Sequence, residues 1–152
     1  MNTIIKRYES ETAHIVRNAV SDRCKYNIHG HSYIWEVELL GEIQQKTGMV
    51  LDFKQLEPIK LFIDKFDHST VFWLGEDPAI IDFFKQNFQR VLVMQKNCTA
   101  ENMARLVFEF TKTWLLNFFP DVKILTVRVW ETRTGSSITN ESDPNDRFSD
   151  FF

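Results

Sequence analysis

The chain has 152 residues, of which 43% are hydrophobic and 14% aromatic. That is enough for one domain with its own core and too little for a second. A net charge of −3 and a pI near 5.8 argue against a general binder of nucleic acid or anionic membranes, which carries a large basic excess. No run of roughly 18 apolar residues occurs, and Met1 to Arg7 lacks the basic head and long apolar stretch of a secretion signal, so a cytoplasmic protein is expected. Cys24 and Cys98, the only cysteines, are too few for a disulfide scaffold and are expected as free thiols.

Thr3 to His14 alternate as a strand, with Ile4, Tyr8, Thr12 and His14 on one face and Arg7, Glu9 and Glu11 on the other. Residues 15–28 show no apolar period and read as a polar loop carrying Arg17, Arg23, Cys24 and Lys25. His29 to Leu40 alternate as a long half-buried strand closed by Gly41. After a turn at Gln44 to Gly48, Asp52 is placed as an N-cap, and Leu56, Ile59, Phe62, Ile63 and Phe66 form one apolar helical face. Pro58 defers the regular helix to near Glu57, and the segment ends at Asp67-His68. Residues 70–95 read as an excursion without chemistry: a short helix from Pro78 to Phe88, with Ile80, Phe84 and Phe88 in line, then a strand-like run from Val91 to Met94. Thr99 caps a longer helix whose stripe is Met103, Leu106, Val107, Phe110, Trp114 and Phe118, and Pro120 marks its end. Val122 to Glu131 is a further strand with Val127, Val129 and Glu131 on one face; Ser136 to Thr139 is a short last one. A polar tail follows, with Phe148, Phe151 and Phe152 as its anchors. The expected class is α+β, an antiparallel sheet backed by two main helices.

His29 and His31 lie on the same side of an extended strand, one pleat apart, while Gly30 leaves the other side open. Such a pair is an ordinary polar feature or two prongs of a metal grip. Catalytic zinc usually takes three protein ligands, and His14 is the third if the first two strands pair antiparallel. Neutral imidazoles suit zinc better than magnesium or calcium. Cys24, beside Arg23 and Lys25, reads as a general base or nucleophile, or as a loop thiol of no consequence. Cys98 reads as a small buried hydrophobe. Asp67-His68 is a proton-transfer unit if the two touch, and otherwise an exposed helix end. Glu101 reads as a first-turn acid favoured by the helix dipole. Glu131 closes an apolar row, as an acceptor for an N–H-rich ring or as a plain edge acid.

His14, Cys24 with His29-Gly30-His31, Gly48-Met49-Val50-Leu51-Asp52-Phe53, Asp67-His68, Thr99-Ala100-Glu101-Asn102 and Glu131-Thr132 stand in the order found in one family. From Tyr8 to Thr132 the chain resembles the 6-pyruvoyltetrahydropterin synthase and 6-carboxytetrahydropterin synthase family. The resemblance implies a single tunnelling fold (T-fold) domain over residues 1–140, with 141–152 as a tail. It also implies that subunits join their sheets into a barrel, as a trimer or hexamer with active sites between them. By the same resemblance His14, His29 and His31 carry Zn2+, Cys24 with Asp67 and His68 carries protons, and Glu131 with Glu101 holds the pterin ring. The implied substrate is 7,8-dihydroneopterin triphosphate, whose side-chain hydroxyls the zinc would acidify. Arg17, Arg23 and Lys25 are expected to contact the triphosphate, on charge alone.

Four residues separate Cys24 from His29, a spacing that does not choose between the carboxy- and pyruvoyl-forming branches. Cys98 stands where proline is usual, and Phe66 where leucine is usual. Small size and the missing leader favour the bacterial branch. The expected activity is therefore that of a zinc lyase forming 6-carboxy-5,6,7,8-tetrahydropterin on the queuosine-type deazapurine route. The pyruvoyl-forming synthase and a non-catalytic pterin or metal binder are its rivals.

Overall fold

Along the chain run β1 (Asn2–His14), α1 (Asp22–Tyr26), β2 (His29–Gly41), a 3-10 turn (Phe53–Leu56), α2 (Glu57–Ile63), β3 (Ser69–Trp73), α3 (Pro78–Asn87), β4 (Val91–Met94), α4 (Ala100–Phe118), β5 (Lys123–Trp130) and β6 (Ser136–Thr139). This computed structural model describes residues 1–141; the aromatic anchors expected at Phe148, Phe151 and Phe152 lie outside the described residues. Among those described, no helix is long and apolar enough to cross a membrane.

β1 and β2 pair antiparallel over their whole length, with Asn2 opposite Gly41 and His14 opposite His29. The period-two alternation sorts their side chains as expected: Tyr33, Trp35, Val37 and Leu39 are at most 1% exposed, while Arg7, Glu9 and Glu11 face solvent. β5 joins the far side of β2, and β6 joins β5, both antiparallel. The sheet then departs from expectation. β3 runs parallel to β1 and β4 parallel to β3, giving a six-stranded mixed sheet in the order β4-β3-β1-β2-β5-β6. β3 is only five residues of Ser-Thr-Val-Phe-Trp with both faces largely covered, so it carries no alternation to announce it. The α+β class stands, with the antiparallel part confined to four strands.

The helices cover the buried face. Asp52 accepts from the Lys54 amide at 2.9 Å and its own N–H donates to Gln55 Oε1 at 3.0 Å, a capping box that opens the 3-10 turn. Pro58 follows in the first turn of α2, where its missing N–H costs nothing. Leu56, Ile59, Phe62, Ile63 and Phe66 are all 4% exposed or less. Thr99 caps α4 by accepting from the Asn102 amide at 3.4 Å. The buried face of α4 runs through Met103, Leu106 and Val107 and on through Thr111 and Leu115. Phe118, expected in that stripe, is 67% exposed and lies beside Trp114 on the solvent side. α3 ends at Asn87, one residue before the expected Phe88, which is exposed, and the buried residue of the helix is Ile81.

Phe66 ties helix to sheet immediately before Asp67. It is fully buried, its ring centre 5.1 Å from that of Trp35. Phe66→Ala is expected to lose about 3–5 kcal/mol in urea unfolding; a loss below about 1 kcal/mol would mean the region readily collapses onto the gap.

The expected loop 15–28 contains α1, a five-residue helix that buries none of its residues. With no apolar face to form, it has no periodic signature in the sequence.

Candidate metal centre and its groove

The antiparallel register alone brings three imidazoles together. His14 ends β1 directly opposite His29, which begins β2, and His31 follows on the same face opposite Thr12. One nitrogen from each ring falls within 4.8 Å of the others. His14 is 1% exposed, and its ring centre lies 4.6 Å from that of His29 and 5.1 Å from that of His31.

Backbone carbonyls decide which nitrogen of each ring is available. His14 Nδ1–H donates to the Cys98 carbonyl at 2.7 Å, and His29 Nδ1–H donates to the Asn27 carbonyl at 2.9 Å. A carbonyl only accepts, so each of the two rings carries a proton on Nδ1 and, when neutral, a lone pair on Nε2. Those lone pairs face each other at 3.1 Å, a repulsive arrangement for neutral rings that a shared cation turns into an attractive one. His31 Nε2 is buried without a hydrogen-bond partner among the described residues. Three imidazole donors, two of them oriented by carbonyls behind, match the way proteins hold a borderline-soft divalent metal. The residues present fit such an ion.

Burial is the main cause that lowers the His14 pKa, and it lowers that of His31 as well. In the fold both therefore bind a proton only below the pH, near 6.5, at which the unfolded chain takes one up. Protons therefore favour unfolding, so the metal-free chain is expected to be most stable above about pH 6.5 and to weaken as pH falls through it. Urea midpoints at pH 7.5 and 5.5 check this; equal midpoints would contradict it.

Glu131, just past β5, completes the polar wall. Its Oε1 lies 3.5 Å from His14 Nε2 and 3.8 Å from His31 Nε2, and accepts from the Tyr33 hydroxyl at 3.1 Å. Burial, with Glu131 adding to it, pushes the Tyr33 phenol well above its ordinary pKa, so it stays a donor. Sequence reading missed Tyr33, although the β2–β5 register with Ile34 opposite Trp130 sets it beside Glu131. It also missed the Cys98 and Asn27 carbonyls, which no side-chain pattern reveals. Cys98 is fully buried as expected, its thiol donating to the Ile15 carbonyl at 3.1 Å and raised by burial to about 11.

Asp67 and His68 do touch. His68 Nδ1–H donates to Asp67 Oδ2 at 2.9 Å, while Asp67 Oδ1 accepts from the Glu11 amide at 2.8 Å. That amide bond, with His68 beside it, holds the Asp67 carboxyl below the ordinary aspartate range. His68 adopts φ 54°, a left-handed conformation of the kind found at functional turns. Its N–H donates to the Glu11 carbonyl at 2.7 Å. The ring is 75% exposed and lines a groove of about 430 Å³ that also includes His31 and Gly30. A second groove of about 720 Å³ shares His31 and Gly30 and continues past Glu131 to Arg7 and Arg133. A Cβ on Gly30 would meet only the Thr12 carbonyl, at an ordinary 3.5 Å, so its glycine opens the groove and relieves no clash.

The remaining expected residues are placed as follows. Cys24 sits half-buried on α1, in the connection between His14 and His29. Arg23 is exposed, and Lys25 lies over the Tyr26 ring at 5.2 Å. Arg17 is engaged within the chain, donating through Nε to Glu76 at 2.6 Å and through Nη1 to the Lys25 carbonyl at 3.3 Å. Glu101 is exposed in the first turn of α4.

The profile of the 6-pyruvoyl tetrahydropterin synthase family matches residues 3–142. The chain is 35% identical over 140 residues to the 6-carboxy-5,6,7,8-tetrahydropterin synthase of Helicobacter pylori, covering 87% of this chain and 70% of that one. It is 28% identical over 141 residues to the enzyme of the same name from Haemophilus influenzae, covering 88% and 95%. The solved 6-pyruvoyl tetrahydropterin synthase of Caenorhabditis elegans superposes with a TM-score of 0.68 at 28% identity, covering 93% of this chain and 96% of that one. The mixed sheet with its helices is thus the T-fold, and the chain belongs to the 6-pyruvoyl tetrahydropterin synthase family.

Proposed function

We propose that the chain is a zinc-dependent 6-carboxy-5,6,7,8-tetrahydropterin synthase, converting 7,8-dihydroneopterin triphosphate to 6-carboxytetrahydropterin, acetaldehyde and triphosphate on the queuosine-type route. The observation that carries the reading is the convergence of His14, His29 and His31 within 4.8 Å, beside a carboxylate held by Tyr33. Held by these three rings, zinc would act as a Lewis acid that lowers the pKa of the substrate's side-chain hydroxyls. The names of the bacterial relatives favour the carboxy product.

The other roles belong to the chain's own groups. Glu131, already an acceptor, takes N–H groups of the pterin ring, with Glu101 as a second acceptor. Cys24 moves protons together with His68, whose ring Asp67 orients through Nδ1 and leaves with Nε2 outward. Arg23 and Lys25 meet the triphosphate; Arg17, expected with them, is committed to Glu76. A homo-oligomer, trimer or hexamer, joins the sheets into a barrel with sites between subunits. The 75% exposure of the His68 ring suits a group completed by a neighbouring subunit, and the edge strands β4 and β6, which have no strand partner on their outer sides among the described residues, offer backbone for such a join. The protein works in the cytoplasm.

The pyruvoyl-forming reaction is the second reading, favoured by the likeness to the nematode synthase. Incubating zinc-loaded protein with 7,8-dihydroneopterin triphosphate and weighing the products by mass spectrometry separates the readings. Carboxy product with acetaldehyde is expected. A pyruvoyl product would replace the first reading with the second, and unchanged substrate would leave a binder of pterin or metal.

A further inference from the structure

The segment that carries Cys24 has little of its own to hold it. α1 is five residues long, buries none of them and has no side-chain N-cap, and so short a helix is unstable by itself. Its last carbonyls are the groups a helix end leaves without partners. Consecutive residues leaving β1 meet two of them: the Val16 amide donates to the Cys24 carbonyl at 3.0 Å, and Arg17 Nη1 donates to the Lys25 carbonyl at 3.3 Å. Arg17 is in turn fixed by Glu76, whose Oε2 accepts from Nε at 2.6 Å.

Glu76 is 6% exposed and sits in the turn between β3 and α3. Its other oxygen accepts from the Asp77 amide at 2.9 Å, so the carboxylate is held from both sides. One residue before Val16, Ile15 is 4% exposed and packs with Phe72 of β3 and Ile81 of α3, in a small apolar cluster separate from the main core. The arm that supports α1 therefore leans, through one apolar cluster and one part-buried ion pair, on residues 69–94. That stretch contributes no metal ligand, and to the two grooves only Ser69 and Thr70 at its start.

We propose that the strand–helix–strand segment from Ser69 to Met94 is a platform for the Cys24 loop, with Glu76 and Arg17 as positioning residues. Glu76 sets the guanidinium, and the guanidinium sets the Lys25 carbonyl, one residue past Cys24. The side chain must be arginine, because one rigid fork reaches a carboxylate and a carbonyl at once, which an ammonium on a flexible stem does not. The functional consequence rests on the catalytic role assigned to Cys24 above; the structural part does not.

The test is the rate at which iodoacetamide alkylates Cys24 in the zinc-loaded full-length protein, read by peptide mass spectrometry with buried Cys98 as internal control. In Glu76→Gln and in Arg17→Lys the Cys24 rate should rise about fivefold or more as α1 opens locally, with Cys98 still protected and zinc content unchanged. kcat should fall by about tenfold while KM stays nearly constant, as expected when a reacting group is displaced. An unchanged Cys24 rate in both variants would overturn the proposal, as would Cys98 labelling in step with Cys24, which marks global loosening. A raised KM with an unchanged Cys24 rate would also overturn it and return Arg17 to the triphosphate. If Glu76→Gln fails to fold, Arg17→Lys carries the test alone, since its side chain is 31% exposed. Faster alkylation alongside a fully active Cys24→Ala enzyme would uphold the platform and sink the catalytic reading of Cys24.

Discussion

Cys24→Ala is expected to keep one zinc per chain and to lower kcat by about 10²–10⁴-fold, the range over which a positioned proton-transfer group contributes. The two effects separate because Cys24 lies on α1, whereas the group proposed to hold the metal is His14, His29 and His31. The ligand-orienting carbonyls belong to Cys98 and Asn27, not to Cys24. Zinc analysis and steady-state kinetics on the same preparation check the result. A variant with near wild-type kcat would remove Cys24 from the chemistry, and one that had lost its zinc would show that α1 supports the metal instead.

His31→Ala should act in the opposite order, losing zinc first and activity in consequence. His31 Nε2 is buried with no hydrogen-bond partner among the described residues, so its loss removes a donor that serves nothing else there. Losing a coordinating ring should weaken zinc by more than the roughly 10–100-fold typical of losing an orienting partner. The fold should survive, since the ring is 20% exposed and lies outside the main apolar cluster. Competition with a chelator of known affinity measures the change, and unaltered affinity would refute the ligand assignment.

The histidine cluster was legible because strand parity is a property of sequence spacing: if the first two strands pair antiparallel, His14 comes to the end where His29 and His31 begin, and the fold supplies the register that sets it opposite His29. The Asp52 cap, the deferred start at Glu57 and the buried run from Leu56 to Phe66 were legible for the same reason, since each depends on neighbours in the chain. What escaped depends on partners distant in sequence. β3 was missed because its parallel pairing with β1 places Ser69 against Thr12 without any local alternation. α1 was missed because it stands on hydrogen bonds from Val16 and Arg17 and not on an apolar face. Glu76 lies in the stretch 70–95, read as an excursion without chemistry, and only the fold brings Arg17 to it. The carbonyls that fix the imidazole tautomers belong to the backbone, about which side-chain identity says little. Arg17, read as a triphosphate contact from its charge, pairs with Glu76 in the fold, a partner that charge alone does not reveal.

The most direct measurement is an anomalous difference map at the zinc absorption edge, from crystals of the chain grown with one equivalent of zinc. A single peak bonded to Nε2 of His14, His29 and His31 at about 2.0–2.1 Å is the expected result. A peak elsewhere, or one bonded through Nδ1 of His14 or His29, would contradict it.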